Sequence, residues 1–238
     1  MSAWKAKRFW KSARTEPCAG GFAVRLDDRL VKTPAKRPLV LPTLAMAQAI
    51  AAEWDAQQGP VRPETMPVTR AANSALDKVV PQFDEIVDLL AAYGGTDLIC
   101  YRATRPAGLI ARQATAWDPL VDWSAADLLA PVRVTSGIIP VAQDPASLAT
   151  LRGLVAALTP FQLAAFHDLV SISGSLILAL ATTRGHLSPD AAWALSRIDE
   201  CWQAEEWGED EDATAQAERK QRDFLAACAF WAMSAPNC

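Results

Sequence analysis

Residues 21–34, Gly21-Phe22-Ala23-Val24-Arg25-Leu26-Asp27-Asp28-Arg29-Leu30-Val31-Lys32-Thr33-Pro34, are the stretch on which the fold turns. Phe22, Val24 and Leu26 alternate with their neighbours and fall on one face of a strand; Asp27-Asp28 reads as a hairpin turn, and Arg29 to Thr33 returns before Pro34. Upstream lie another short segment, Arg8 to Ala13, and a break at Gly20-Gly21. Downstream, Leu41-Pro42-Thr43 supplies a threonine N-cap. Leu44, Ala47, Ile50, Ala51 and Trp54 follow at helical spacing and stop near Gln58-Gly59-Pro60. The beginning of the chain is therefore a small β unit carrying one amphipathic helix.

Past Pro60, Pro63 and Pro67 the composition shifts to Ala, Leu and Val at a period near 3.6. The pattern predicts helices at about 68–79, 81–93, 107–129, 145–157, 160–182, 188–206 and 211–233. Pro131 to Val141, with β-branched Val132, Val134 and Ile138-Ile139, reads as an extended exception. Gly94-Gly95 reads as a helix C-cap, and no internal repeat is evident. The expected class is α+β, with a β-rich N-terminal domain over 1–65 and an all-helical domain over 66–238.

The chain has 238 residues, 51% of them hydrophobic, and a formal net charge of −4, which is enough for real cores and lacks the basic excess of a nucleic-acid binder. Charge is uneven: residues 1–37 hold ten Lys/Arg against three Asp/Glu, or +7, leaving 13 against 24, or −11, for the rest. Cys18, Cys100, Cys201, Cys228 and Cys238 are scattered without a C-x-x-C pair, as suits reduced thiols. No apolar run reaches the roughly 20 residues that span a bilayer, since Leu169 to Thr183 is broken by Ser171, Ser173, Gly174 and Ser175. The first 15 residues, basic and without an acid, have the look of a transit peptide but run straight into strand-like sequence.

Neither G-x-G-x-x-G nor G-x-x-x-x-G-K-[ST] occurs, and two histidines without clustered cysteines give no metal-ligand spacing, so neither a cofactor nor a metal is expected. His167-Asp168 precedes Ser171, Ser173 and Ser175, but neighbours on a helix point about 100° apart, whereas a catalytic triad converges from separate elements. Nine tryptophans are mostly core candidates: Trp54, Trp117, Trp193 and Trp202 sit in apolar stripes. Leu195, Ile198 and Trp202 are spaced as one buried helix face. The strongest local charge lies in 199–212, where eight of fourteen residues are acidic and none basic. Such a run is ordinarily a solvated face; carboxylates crowding a helix C-terminus nevertheless oppose its macrodipole, which gives weight to an external reason such as a basic partner surface. Glu200, Gln203 and Trp207 share one face there. The competing reading is a hydrolase or lyase using carboxylates near Glu200 or the His167/Asp168 pair; a closed polar pocket around them would favour it.

An ordered set of motifs adds more. Arg8-Phe9-Trp10-Lys11, Leu26 through Pro34, Leu41-Pro42-Thr43 and Glu53-Trp54-Asp55-Ala56-Gln57 open it. Met66-Pro67-Val68-Thr69, Asn73, Asp77, Thr96-Asp97, Tyr101-Arg102-Ala103, Gln113, Trp117-Asp118-Pro119 and Ser173-Gly174-Ser175 continue it, and Asp199-Glu200, Gln203 and Trp207-Gly208 close it. The set covers nearly the whole chain and resembles the chaperone family that assembles the catalytic head of F-type ATP synthase by binding its α subunit. The resemblance implies a small β-containing N-terminal domain, a larger helical one, no catalysis and no cofactor. It also implies a client, the unassembled α subunit, whose apolar surface is shielded until the β subunit displaces the chaperone. By the same resemblance Glu200 is the first candidate for partner binding, supported by Asp199, Gln203, Trp207 and Gly208, while Trp54 is expected to pack where the two domains join. A monomer is expected, because a surface kept free for a client is not spent on self-association. Met1 lies just before the first motif, so a bacterial, cytoplasmic member is expected, with the mitochondrial matrix as the alternative.

Overall fold

The computed structural model describes residues 7–137 and 139–234. Contacts group the chain into two units: one runs to Phe83 and includes Thr159–Ala165 and the chain from Ala229, the other holds Asp84–Leu158 and Phe166–Cys228. The class is α+β. Met66–Phe83, placed by composition with the helical domain, keeps company with the sheet.

In the first unit, β1 (Ala13–Cys18) and β2 (Gly21–Leu26) form a hairpin in register Ala13↔Leu26 to Cys18↔Gly21. On its other side β2 pairs antiparallel with β3 (Arg29–Leu30) and with β4 (Val40–Leu41). The Asp27-Asp28 turn is where the sequence puts it. Asp27 stands at φ +51°, and its carboxylate accepts from the backbone N–H of Lys11 and Ser12 at 3.1 Å, which holds its pKa below the usual range. The opening strand is β1, not the Arg8–Ala13 segment. Its sequence hides it because an edge strand needs no apolar face and tolerates Pro17. Gly21 is required by packing: a Cβ there would come within 2.1 Å of the Leu41 carbonyl oxygen.

Helix α1 (Leu44–Asp55) starts as expected at Thr43, whose hydroxyl accepts from Met46 N at 3.2 Å and donates to the Met233 carbonyl at 2.6 Å. Its buried stripe is Met46, Ala47, Ile50 and Ala51; Leu44 stays largely exposed. These residues close a core with Trp10, Val24, Leu26, Leu39, Leu41 and Phe230. Trp54 packs edge-on against Trp10, with ring centroids 5.2 Å apart, inside this unit. Glu53 binds α1 to α2 (Pro67–Ser74): its carboxylate accepts from Val68 N, Thr69 N and Thr69 Oγ1 at 2.7, 2.8 and 2.6 Å, serving as a distant N-cap for a helix that lacks its own. Asp77, on the π-type turn Ala75–Val79, accepts from Thr33 Oγ1 at 2.7 Å and Ala35 N at 3.0 Å.

The second unit is helical. It holds α3 (Phe83–Ala91) from Asp84 onward, then α4 (Ala107–Ala126) and α5 (Pro145–Ala156). α6 (Pro160–Ser173), α7 (Leu176–Thr183), α8 (Pro189–Ser196), α9 (Ile198–Trp207) and α10 (Glu211–Ser234) follow, with α6 as far as Ala165 and α10 from Ala229 counted in the first unit. Within Pro131–Val141, β6 (Thr135–Ser136) pairs in parallel with β5 (Tyr101–Arg102); Ile138 lies outside the described residues. Gly94 and Gly95 sit in the 3-10 turn that ends α3.

Two expected long helices are each broken in two. The 160–182 helix ends at Gly174, at φ +72°, and Ser175 caps α7 by accepting from Leu178 N at 2.9 Å. The 188–206 helix parts at Arg197, at φ −114° and ψ 11°, where the Ser196 hydroxyl has taken the Trp193 carbonyl at 2.7 Å. Leu195 and Ile198 therefore belong to different helices and do not form one stripe with Trp202. At the centre of the unit Asp97, fully buried, accepts from Ser175 Oγ at 2.6 Å, Ile177 N at 3.0 Å and Ile99 N at 3.2 Å, joining the 3-10 turn Leu98–Cys100 to the start of α7.

Candidate partner-binding site

Helix α9 presents two unlike faces. Toward α4 lie Asp199, Trp202 and Glu205, spaced i, i+3, i+6. Gln113 Nε2 donates to Asp199 at 2.6 Å, Arg112 closes on both oxygens of Glu205 at 2.8 and 2.7 Å, and the Arg112 guanidinium lies 4.9 Å from the Trp202 ring centre. That hydrogen-bonded pairing holds the Glu205 carboxyl below its usual pKa and raises that of Arg112. On the other face are Glu200, Gln203 and Trp207. Glu200 meets Arg197, one turn back, at 2.6 Å. Gln203 is exposed, and Trp207 is 81% exposed at the end of the helix. Gly208 caps it at φ +91° and ψ 161°, donating its N–H to the Ala204 carbonyl at 2.9 Å. Glu206, Glu209, Glu211 and Asp212 are exposed around this end, and Asp210 Oδ1 accepts from Ala213 N at 2.8 Å at the start of α10.

The His167 and Asp168 side chains meet at 3.0 Å on the exposed surface of α6. The hydroxyls near them are committed elsewhere: Ser171 donates to the His167 carbonyl at 2.7 Å, Ser173 to the Leu169 carbonyl at 2.6 Å and Ser175 to Asp97. None is hydrogen-bonded to the His167 ring. Burial pushes the Cys100 thiol up to about 12 and that of Cys228 up to about 11, so both stay protonated and poorly nucleophilic. Of the tryptophans expected in cores, Trp117 is fully buried and donates to the Leu195 carbonyl at 2.9 Å, and Trp193 is 9% exposed beside Phe224; Trp54 and Trp202 are half-buried.

Residues 7–125 match the model of the family described as ATP12 chaperone protein. The mitochondrial protein atp12 of Schizosaccharomyces pombe is 30% identical over 94% of this chain and 81% of its own length. The chain belongs to the ATP12 chaperone family. The crystal structure of Atp12 from Paracoccus denitrificans is 53% identical, with a TM-score of 0.95 over 98% of this chain and all of that one. The Atu1473 protein of Agrobacterium tumefaciens is 38% identical, with a TM-score of 0.91 over 95% of this chain and 85% of its own.

As an ATP12-family chaperone of ATP synthase assembly, the chain can have its motif residues sorted by what they touch. Glu53, Asp77, Asp97, Gln113 and Ser175 each tie together segments distant in sequence. Gln203 and Trp207 make no side-chain hydrogen bond among the described residues, and Glu200 meets only Arg197, the residue just before its helix. What the sequence alone missed is the support under α9. Gln113 stands among the motifs without a role, and no pattern flags Arg112 or Gly108. No described helix is long and apolar enough to cross a membrane.

Proposed function

We infer that this chain holds the unassembled α subunit of F-type ATP synthase through the outer face of α9, with Glu200, Gln203, Trp207 and Gly208 in contact and Asp199 at the helix root. One observation carries the reading: motif residues that have no packing task gather around an indole left 81% exposed. Tryptophan is enriched at the centres of protein interfaces, and a large aromatic in water with acids around it suits a partner that is apolar at its centre and basic at its rim. The action is non-catalytic: a monomeric chaperone in the bacterial cytoplasm covers the client's apolar face, and the β subunit displaces it by competing for that face, without ATP. A hydrolase or lyase centred on His167 or Glu200 has no observation in its favour, since both lie on open surface.

Co-expression with the α subunit of the same organism, followed by size exclusion, tests this. The expected result is a soluble one-to-one complex that dissociates when β subunit is added, and a Glu200→Lys variant that folds normally but loses the complex. An α subunit that precipitates regardless overturns the client assignment, and unchanged binding by Glu200→Lys removes α9 from the interface.

A further inference from the structure

Helix α9 cannot hold itself. It has ten residues, about three turns, too few for stability alone; its last turn carries Glu205 and Glu206 and no basic residue, the reverse of what the macrodipole favours. Support comes from one stretch of α4. A Cβ on Gly108 would fall within 2.6 Å of the Trp202 ring, so the glycine is what lets the indole seat against α4. Arg112, one turn on, covers that indole and brings to the end of α9 the cation its own sequence lacks. Gln113 is 1% exposed, accepts from Ala103 N at 2.8 Å through Oε1 and donates to Asp199 through Nε2, so it is fixed on one side and grips the first turn of α9 on the other. The helix is held at its first turn, its middle and its last.

We propose that Gln113, with Gly108 and Arg112, positions α9 for its partner: α4 residues that do not touch the client set its affinity by fixing the helix that does. The proposal rests on the client-binding reading above. A helix ordered beforehand spares the complex the entropy of ordering it, so loosening α9 weakens binding even when every contacting side chain is intact. It also gives Asp199 and Glu205 a positioning task, distinct from the contact made by Glu200, Gln203 and Trp207.

The full-length chain is titrated with purified α subunit, and amide hydrogen exchange is followed across 198–207. Arg112→Ala and Gln113→Ala should each weaken binding about tenfold, the scale of one charge-assisted hydrogen bond. Exchange should quicken in α9, and in Arg112→Ala, at an exposed pair, the unfolding midpoint should move little. Arg112→Lys, which keeps the charge but not the forked pairing, should fall between. If Gln113→Ala does not fold, the solvent-accessible Arg112 pair carries the test. Faster exchange in α9 with wild-type affinity overturns the positioning role while leaving the client reading intact. Wild-type affinity in Glu200→Lys as well overturns the reading itself, and the inference with it.

Discussion

Replacing Asp97 with asparagine should change how the stability of this protein depends on pH. Asp97 is fully buried, and burial raises its pKa from 3.8 to about 6 against the opposing pull of its hydrogen bonds from Ser175, Ile177 and Ile99. A folded pKa above the unfolded one means the native state takes up the proton more readily. The stabilisation is fully present below about pH 3.8 and is lost as pH rises through about 6. That gap corresponds to about 3 kcal/mol at its limit, of which roughly half falls between pH 7.5 and pH 5. Glu205 and Asp27 work in the opposite sense, so the difference between wild type and Asp97→Asn is the quantity to measure. Urea unfolding at the two pH values gives it. Relative to wild type, Asp97→Asn should be more stable at pH 7.5 than at pH 5 by about 1–2 kcal/mol. A difference that does not vary with pH would refute the reasoning, and would mean that three donors and the start of α7 hold Asp97 ionised throughout.

Gly21→Ala sets a methyl group 2.1 Å from the Leu41 carbonyl oxygen at φ +146°, and should cost about 3 kcal/mol or more in thermal unfolding by prying β4 from β2. Its counterpart Gly153→Ala, on α5 with nothing within 4 Å of the new Cβ, should raise stability by about 0.5–1 kcal/mol. Glu53→Ala leaves Val68 N, Thr69 N and the Thr69 hydroxyl without their acceptor and should cost about 2 kcal/mol, with exchange quickening first in the amides of α2. Equal protection of those amides in the variant would remove Glu53 from the capping role.

The elements legible in the sequence are those whose cause is local. The Asp27-Asp28 turn, the Thr43 cap and the buried Val24 and Leu26 face all follow from neighbours within a few residues. β1 was not legible, because Arg14, Glu16 and Pro17 suit a strand only where one edge is free, and that is settled by what lies beside it. The break between α8 and α9 has no glycine or proline to announce it; it depends on where the Ser196 hydroxyl points. In α9 the spacing of Glu200, Gln203 and Trp207 on one face is readable from helical geometry alone. That Asp199 and Glu205 turn to α4 is not, since Gln113 and Arg112 lie about 90 residues earlier and meet them only in the fold.

The same separation bears on what motifs identify. Many polar members of the ordered set are side chains that hold remote segments together. Carboxylates recur among them because one carboxylate accepts several bonds at once, as Glu53 does from α2 and Asp97 from both its own turn and α7. Such residues are accounted for by the architecture and say little about where a partner sits. Trp54 and Trp207 make the contrast plain: each belongs to a motif, yet one packs edge-on against Trp10 beside the first unit's core and the other stands in water at the end of an acidic helix. Residue type and motif membership do not separate them; burial and hydrogen bonding do. A motif residue with a packing task is explained by folding, and the few without one are where an interface should be sought first.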